Sequence, residues 1–129
     1  MERFRHLLRD DDLSVEEQSA VVKLALRFSE DKQLASDILR GNSIGLLFEK
    51  QSLRTRVSAE VASINLGAHP VQLRGEELHF NRGEPASDAV RVLAGYLQLL
   101  MGRVNSHSLL EQLRESDRLP IVNLSLIHI

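Results

Sequence analysis

Phe48-Glu49-Lys50-Gln51-Ser52-Leu53-Arg54-Thr55-Arg56 is the stretch on which the reading of this chain turns. An apolar run (Ile44, Leu46, Leu47, Phe48) leads into it, and a helical pattern leads out. A strand that ends in a Ser and opens a helix gathers unpaired backbone N–H groups at one point, where the positive end of the helix dipole also lies. Arg54 and Arg56 in the first turn oppose that dipole, so the helix alone gives no reason for them. A bound anion reverses the penalty, and the stretch reads as a phosphate site. The competing reading is a capped surface helix whose arginines face water.

Outward from the loop, Val57, Val61 and Ile64 recur at i, i+4 and i+7, and Ala62 widens the stripe. Ser52 is a natural N-cap and Gly67 stands where a helix stops. Upstream, residues 41–48 read as a short buried strand entered through a Gly41-Asn42 turn. Ser14 and Glu17 have capping-box spacing, and Val21, Leu24, Ala25 and Phe28 then mark a helical face. Downstream, His69-Pro70-Val71-Gln72-Leu73 is a strand candidate that Pro70 confines to a strand start or an edge. Residues 74–86 are turn-rich and read as a loop. Val90, Leu93, Ala94, Leu97 and Leu100 then lie on one helical face. Residues 99–104 could end that helix, but read better as a strand from about Leu100. Ser108 to Glu115 reads as a short helix, and Pro120 to Asn123 as a last strand.

Strands alternating with helices imply an α/β fold, a parallel sheet flanked by helices. Ligands of such sheets sit beyond the carboxyl ends of the strands, where the Ser52 loop, Arg103 and Asn123 all fall. At 129 residues and 43% hydrophobic content, the chain suffices for one domain with a core. A net charge of −2, with both signs interspersed, points to neither nucleic acid nor an anionic membrane as partner. The absence of cysteine excludes disulfides and thiolate metal sites, and the scattered histidines make no zinc triad. With no apolar leader at the N-terminus and no membrane-length run, the expected compartment is the cytoplasm.

Phe48 through Ser58 resembles the carbamoyl-phosphate motif of the aspartate and ornithine carbamoyltransferases. Leu66-Gly67-Ala68-His69, the segments Arg82-Gly83-Glu84 and Asp88 through Leu93, and Leu119 through Asn123 follow in family order. Lys50 beside Phe48-Glu49, and Arg91-Val92-Leu93 after Asp88, resemble the ornithine branch. The resemblance implies the N-terminal domain of the carbamoyltransferase fold over residues 1–123. It implies transfer of the carbamoyl group of carbamoyl phosphate to the δ-amino group of ornithine, in arginine biosynthesis or catabolism. The alternatives are an aspartate carbamoyltransferase fragment and a non-catalytic phosphate-binding module.

Carried over residue by residue, Arg54 is the phosphate clamp, a planar donor fork matched to phosphate oxygens. Ser52, Leu53 and Thr55 add backbone N–H groups, with hydroxyls from Ser52 and Thr55. Arg103 reaches the carbonyl oxygen and phosphate. His79 matches a position that reaches into the adjacent subunit's site, within a homotrimer. Glu84 is a candidate to orient Arg54, whereas Arg56 is structural and His107 matches no ligand. No cofactor or metal is implied. The pattern departs at Ala59, where Phe is usual, at Pro85, where Ser is usual, and throughout residues 124–129. That tail lacks the expected Leu-Ser-Asp and His-Pro-x-Gln segments, and the implied ornithine-binding domain is absent. The expectation is weak phosphate affinity and no turnover for these 129 residues alone.

Overall fold

The computed structural model of the chain describes residues 4–49, 53–74, 86–104 and 107–124. Among the described residues four α-helices, α1 (Val15–Glu30), α2 (Leu53–Asn65), α3 (Ala86–Leu93) and α4 (His107–Glu115), alternate with four strands, β1 (Ser43–Phe48), β2 (His69–Leu73), β3 (Leu99–Arg103) and β4 (Ile121–Asn123). The sheet runs β2-β1-β3-β4 and every pairing is parallel. The expected α/β architecture is therefore present, with each strand in its expected place.

β1 is buried from Ile44 to Leu47 without a break, as a central strand covered on both faces must be. Its side chains alternate between two cores. Leu47 joins Leu100, Ile121, Val90, Leu110 and Leu113 under α3 and α4. Ile44 and Leu46 join Ala59 and Ala68 under α2. Pro70 sits in β2, which among the described residues pairs only with β1 and lies at the sheet edge, so the missing N–H costs the sheet little.

Ser14 caps α1 as expected: its Oγ accepts from the Glu17 N–H at 3.1 Å, and the Glu17 carboxylate accepts from the Ser14 N–H at 2.9 Å. The end of α2 at Gly67 is equally direct. Gly67 adopts φ +90°, a conformation that a Cβ would strain, and the Ala68 N–H closes back on the Ser63 carbonyl at 2.9 Å.

Three expectations are corrected. Val57, Val61 and Ile64 do not face the sheet; they are 42–56% exposed, and α2 buries Ala59 and Ser63 instead. Small residues at i, i+4 let the helix lie close to β1, and the larger aliphatics are left outside. Likewise Val21 and Leu24 are exposed, and α1 has no buried residue. Finally, α3 stops at Leu93, so Leu97 and Leu100 belong to the following turn and to β3. Both are buried, which is why a helical spacing could be read through them. Smaller shifts put the β1 start at Ser43 and the α4 start at His107.

An unforeseen element lies at the N-terminus. Residues 4–8 run alongside β4, with Leu7 N–H donating to Ile121 O at 2.8 Å and Asn123 N–H to Leu7 O at 2.7 Å. The His6 side chain, buried, accepts from the Ile121 N–H at 3.1 Å through Nδ1 and meets Asp117 at 3.0 Å through Nε2. Because a backbone N–H can only donate, Nδ1 is bare and Nε2 carries the proton toward the carboxylate.

Candidate functional site

The order β2-β1-β3 means that the chain leaves β1 to one side and returns past it to the other. Such a reversal is the switch point of an open parallel sheet, where the loops after two adjacent strands part and leave a crevice. Here α2 follows β1 onto one face, and α4 follows β3 onto the other. Phe48, the last residue of β1, is in register with Arg103, the last residue of β3. The Glu49 N–H donates to the Arg103 carbonyl at 3.0 Å, so the two strand ends are fastened side by side.

α2 opens at this crevice. Its first turn holds Leu53, Arg54, Thr55 and Arg56, and it contains no acidic residue. Leu53, Arg54 and Arg56 are exposed and Thr55 is half-buried, so the helix start is open to a ligand from solvent. Arg103 is half-buried at the adjoining strand end. The structure thus brings Leu53, Arg54, Thr55 and Arg103 to one end of the sheet. Ser52, His79 and Glu84 lie outside the described residues. The Thr55 carbonyl accepts from the Ser58 hydroxyl at 3.0 Å inside α2, which braces the first turn without using the Thr55 hydroxyl.

Asn123 closes β4 but turns its amide elsewhere: Nδ2 donates to the Leu8 carbonyl at 2.9 Å. It fastens the N-terminal segment to the sheet. The missed residues, His6 and Asp117, belong to the same fastening and not to the crevice. A hollow lined by Phe4, Arg5, His6, Asp12 and Arg114 accompanies it near the amino end of β4. No group of acidic, His or Cys side chains suited to a metal ion occurs among the described residues, and no described helix is long and apolar enough to cross a membrane.

The chemistry open to this crevice is recognition of a small anion. Helix N–H groups supply a fixed positive pole, Arg54 a planar fork, and Arg103 a second cation from the neighbouring strand. Comparison with known proteins agrees with that geometry: residues 5–128 match the family described as aspartate/ornithine carbamoyltransferase, carbamoyl-P binding domain. This chain belongs to that family. It is 40% identical over 121 residues to an ornithine carbamoyltransferase of Archaeoglobus fulgidus, covering 92% of this chain and 39% of the relative. A Hyperthermus butylicus ornithine carbamoyltransferase is 41% identical over 124 residues, with 93% and 39% covered. The ornithine carbamoyltransferase structure from Pyrococcus furiosus superposes with a TM-score of 0.82 at 35% identity, over 92% of this chain and 39% of that one. The chain therefore spans about 39% of the length of the curated relatives it matches, and within this carbamoyltransferase family it corresponds to the carbamoyl-phosphate-binding domain.

Proposed function

We propose that the chain is the carbamoyl-phosphate-binding part of an ornithine carbamoyltransferase. One observation carries the reading. The start of α2, with Arg54 and no acid in its first turn, opens beside Arg103 at the switch point of the sheet. Both named relatives being ornithine carbamoyltransferases supports ornithine over aspartate as acceptor.

In this reaction the neutral δ-amino group of ornithine attacks the carbamoyl carbon. Its carbonyl oxygen gains negative charge, the bond from that carbon to the phosphate oxygen breaks, and the amine loses a proton to give citrulline. Arg54 and the N–H groups of Ser52, Leu53 and Thr55 hold the phosphate as it gains charge on leaving. Arg103 faces the carbonyl oxygen and stabilises the oxyanion, and fixed donors do this without reorganising as the charge moves. His79 completes the site from the adjacent copy of a trimer. The acceptor amine binds to polypeptide beyond these residues. The setting is arginine metabolism in the cytoplasm.

The test is calorimetric titration of the chain with carbamoyl phosphate, beside Arg54→Gln and Arg103→Gln. The chain binds weakly and releases no citrulline when ornithine is added, and each substitution abolishes measurable uptake. In a polypeptide of the relatives' full length carrying these residues, Arg54→Gln lowers kcat/KM by about 2.7–4 kcal/mol of transition-state stabilisation. Unchanged uptake in both variants leaves an α/β module with no carbamoyl-phosphate site. Turnover with aspartate in place of ornithine moves the chain to the other branch.

A further inference from the structure

Asn123 stands at the carboxyl end of β4, where a parallel sheet meets its ligands, yet its amide is committed in the other direction. β4 is only 3 residues long, and β3 is its neighbour on the inner side. A strand that short frays unless its outer edge is bonded as well. Residues 7 and 8 supply that edge. The Leu7 N–H donates to Ile121 O at 2.8 Å, and the Asn123 N–H donates to Leu7 O at 2.7 Å. Past that rung the chain turns off through Leu8 toward the short turn of helix at Asp10–Asp12. A side chain then makes the next rung, Asn123 Nδ2 donating to Leu8 O at 2.9 Å. On the inner side Asn123 is in register with Gly102, and the Leu124 N–H donates to Gly102 O at 2.7 Å.

The residue after Gly102 is Arg103. Leu100 and Val104 enter the core under α3 and α4, whereas Leu99 and Met101 pack into the one under α2. By strand alternation Arg103 therefore leaves β3 on the α2 face, the side on which the first turn of α2 opens. Its backbone is tied toward β1 by the Glu49 N–H, which donates to Arg103 O at 3.0 Å. Toward β4 the tie is the Leu124–Gly102 rung, one residue short of it. We infer that Asn123 is a positioning residue for Arg103. Its amide keeps the end of β4 closed on the N-terminal segment, so the Leu124–Gly102 rung holds and the guanidinium is aimed at the anion. That guanidinium lies at the far end of a long side chain, which magnifies a slight tilt of the backbone. A misplacement of about 1 Å in such a group can cost about a hundredfold in rate. An apolar residue at 123 fills the same space but takes this donor from the Leu8 carbonyl and lets the strand end open. The inference rests on the proposed role of Arg103 and deepens it.

The test is an NMR titration of the chain with carbamoyl phosphate, followed at the Thr55 and Arg103 amides. In Asn123→Ala the Leu124 amide exchanges with solvent about tenfold faster, as the rung to Gly102 opens. The dissociation constant for carbamoyl phosphate rises about tenfold, the loss that follows when one charge-assisted hydrogen bond is misaimed. In an Arg103→Gln background the same substitution changes it by less than about twofold, because the guanidinium through which Asn123 acts is gone. Asn123→Leu, similar in size and without a donor, behaves alike and decides the matter should Asn123→Ala unfold. Urea midpoints of all variants establish that the folded form is being titrated. Unchanged affinity in Asn123→Ala, with Arg103→Gln impaired, overturns the inference and leaves the role of Arg103 standing. Losses that simply add in the double variant overturn it as well, since Asn123 then acts apart from Arg103. Unfolding of both Asn123 variants does the same, because the residue then holds the fold and not the aim of one side chain. Full affinity in Arg103→Gln, or no uptake by the unaltered chain, removes the proposed role of Arg103 and this inference with it.

Discussion

Arg54 and His6 show two ways for one side chain to matter. Arg54 gains its meaning from position: at a helix start it is unfavourable until an anion arrives. Such a residue stands out in a sequence because it breaks a local rule, and Ser-Leu-Arg-Thr-Arg was legible for that reason. His6 breaks no rule visible in the chain. Its partners, Asp117 and Ile121, are more than a hundred positions away, and no spacing connects them. Asp117 holds a left-handed backbone, φ +49°, and also accepts from the Phe4 N–H at 3.0 Å, so it gathers both N-terminal bonds on one carboxylate. His6→Ala leaves the buried Ile121 N–H without an acceptor. The expected loss is about 1–3 kcal/mol, the cost of an unmet buried polar group, read as a lower urea midpoint at unchanged slope.

At the scale of the element, the caps were the most legible features, because they are written in four or five consecutive residues. The Ser14–Glu17 box and the Gly67 stop are both where local chemistry puts them. The box has a measurable pH signature. The Glu17 carboxyl is held down to about 2 from an ordinary 4.5, chiefly by its hydrogen bonds from the Arg5 guanidinium, and next by the Ser14 N–H. A carboxyl depressed in the folded state stabilises it above its unfolded value and loses that effect as pH falls toward the folded one. The contribution to α1 is therefore complete above about pH 4.5 and fades between about 4.5 and 2. The helical circular dichroism of the chain and of Glu17→Gln should differ above that window and converge across it. A difference that persists at pH 2 contradicts the assignment. The helix faces were less legible than the caps. Periodicity located apolar stripes on α1 and α2, but not which face the fold buries: the stripe residues Val21, Leu24, Val57, Val61 and Ile64 are exposed.

Across the whole molecule, β1 is the point on which both layers bear. Gly45 shows how tightly they do so. A Cβ there would lie 2.6 Å from Leu97 Cδ1 and 3.0 Å from Leu100 Cδ1, and both leucines are buried. Those side chains have little room to swing away, so Gly45→Ala destabilises the fold by about 1–3 kcal/mol through overpacking. The check is thermal unfolding; an unchanged or raised midpoint would show that the leucines repack freely. By itself the sequence determined the alternation of strands and helices, the Ser14 cap and the Gly67 stop, the confinement of Pro70 to a strand start or an edge, and the arginine-bearing turn after β1. Each of these follows from residues close together in the chain, where backbone sterics, capping and charge act over a few positions. Only the tertiary structure decided that Arg103 lies beside the start of α2, that Asn123 turns to the N-terminal segment, and that α2 buries Ala59 and Ser63 while its valines stay outside. Those outcomes depend on strand order and on how closely a helix can approach a sheet, and both are settled by packing between residues far apart in the chain.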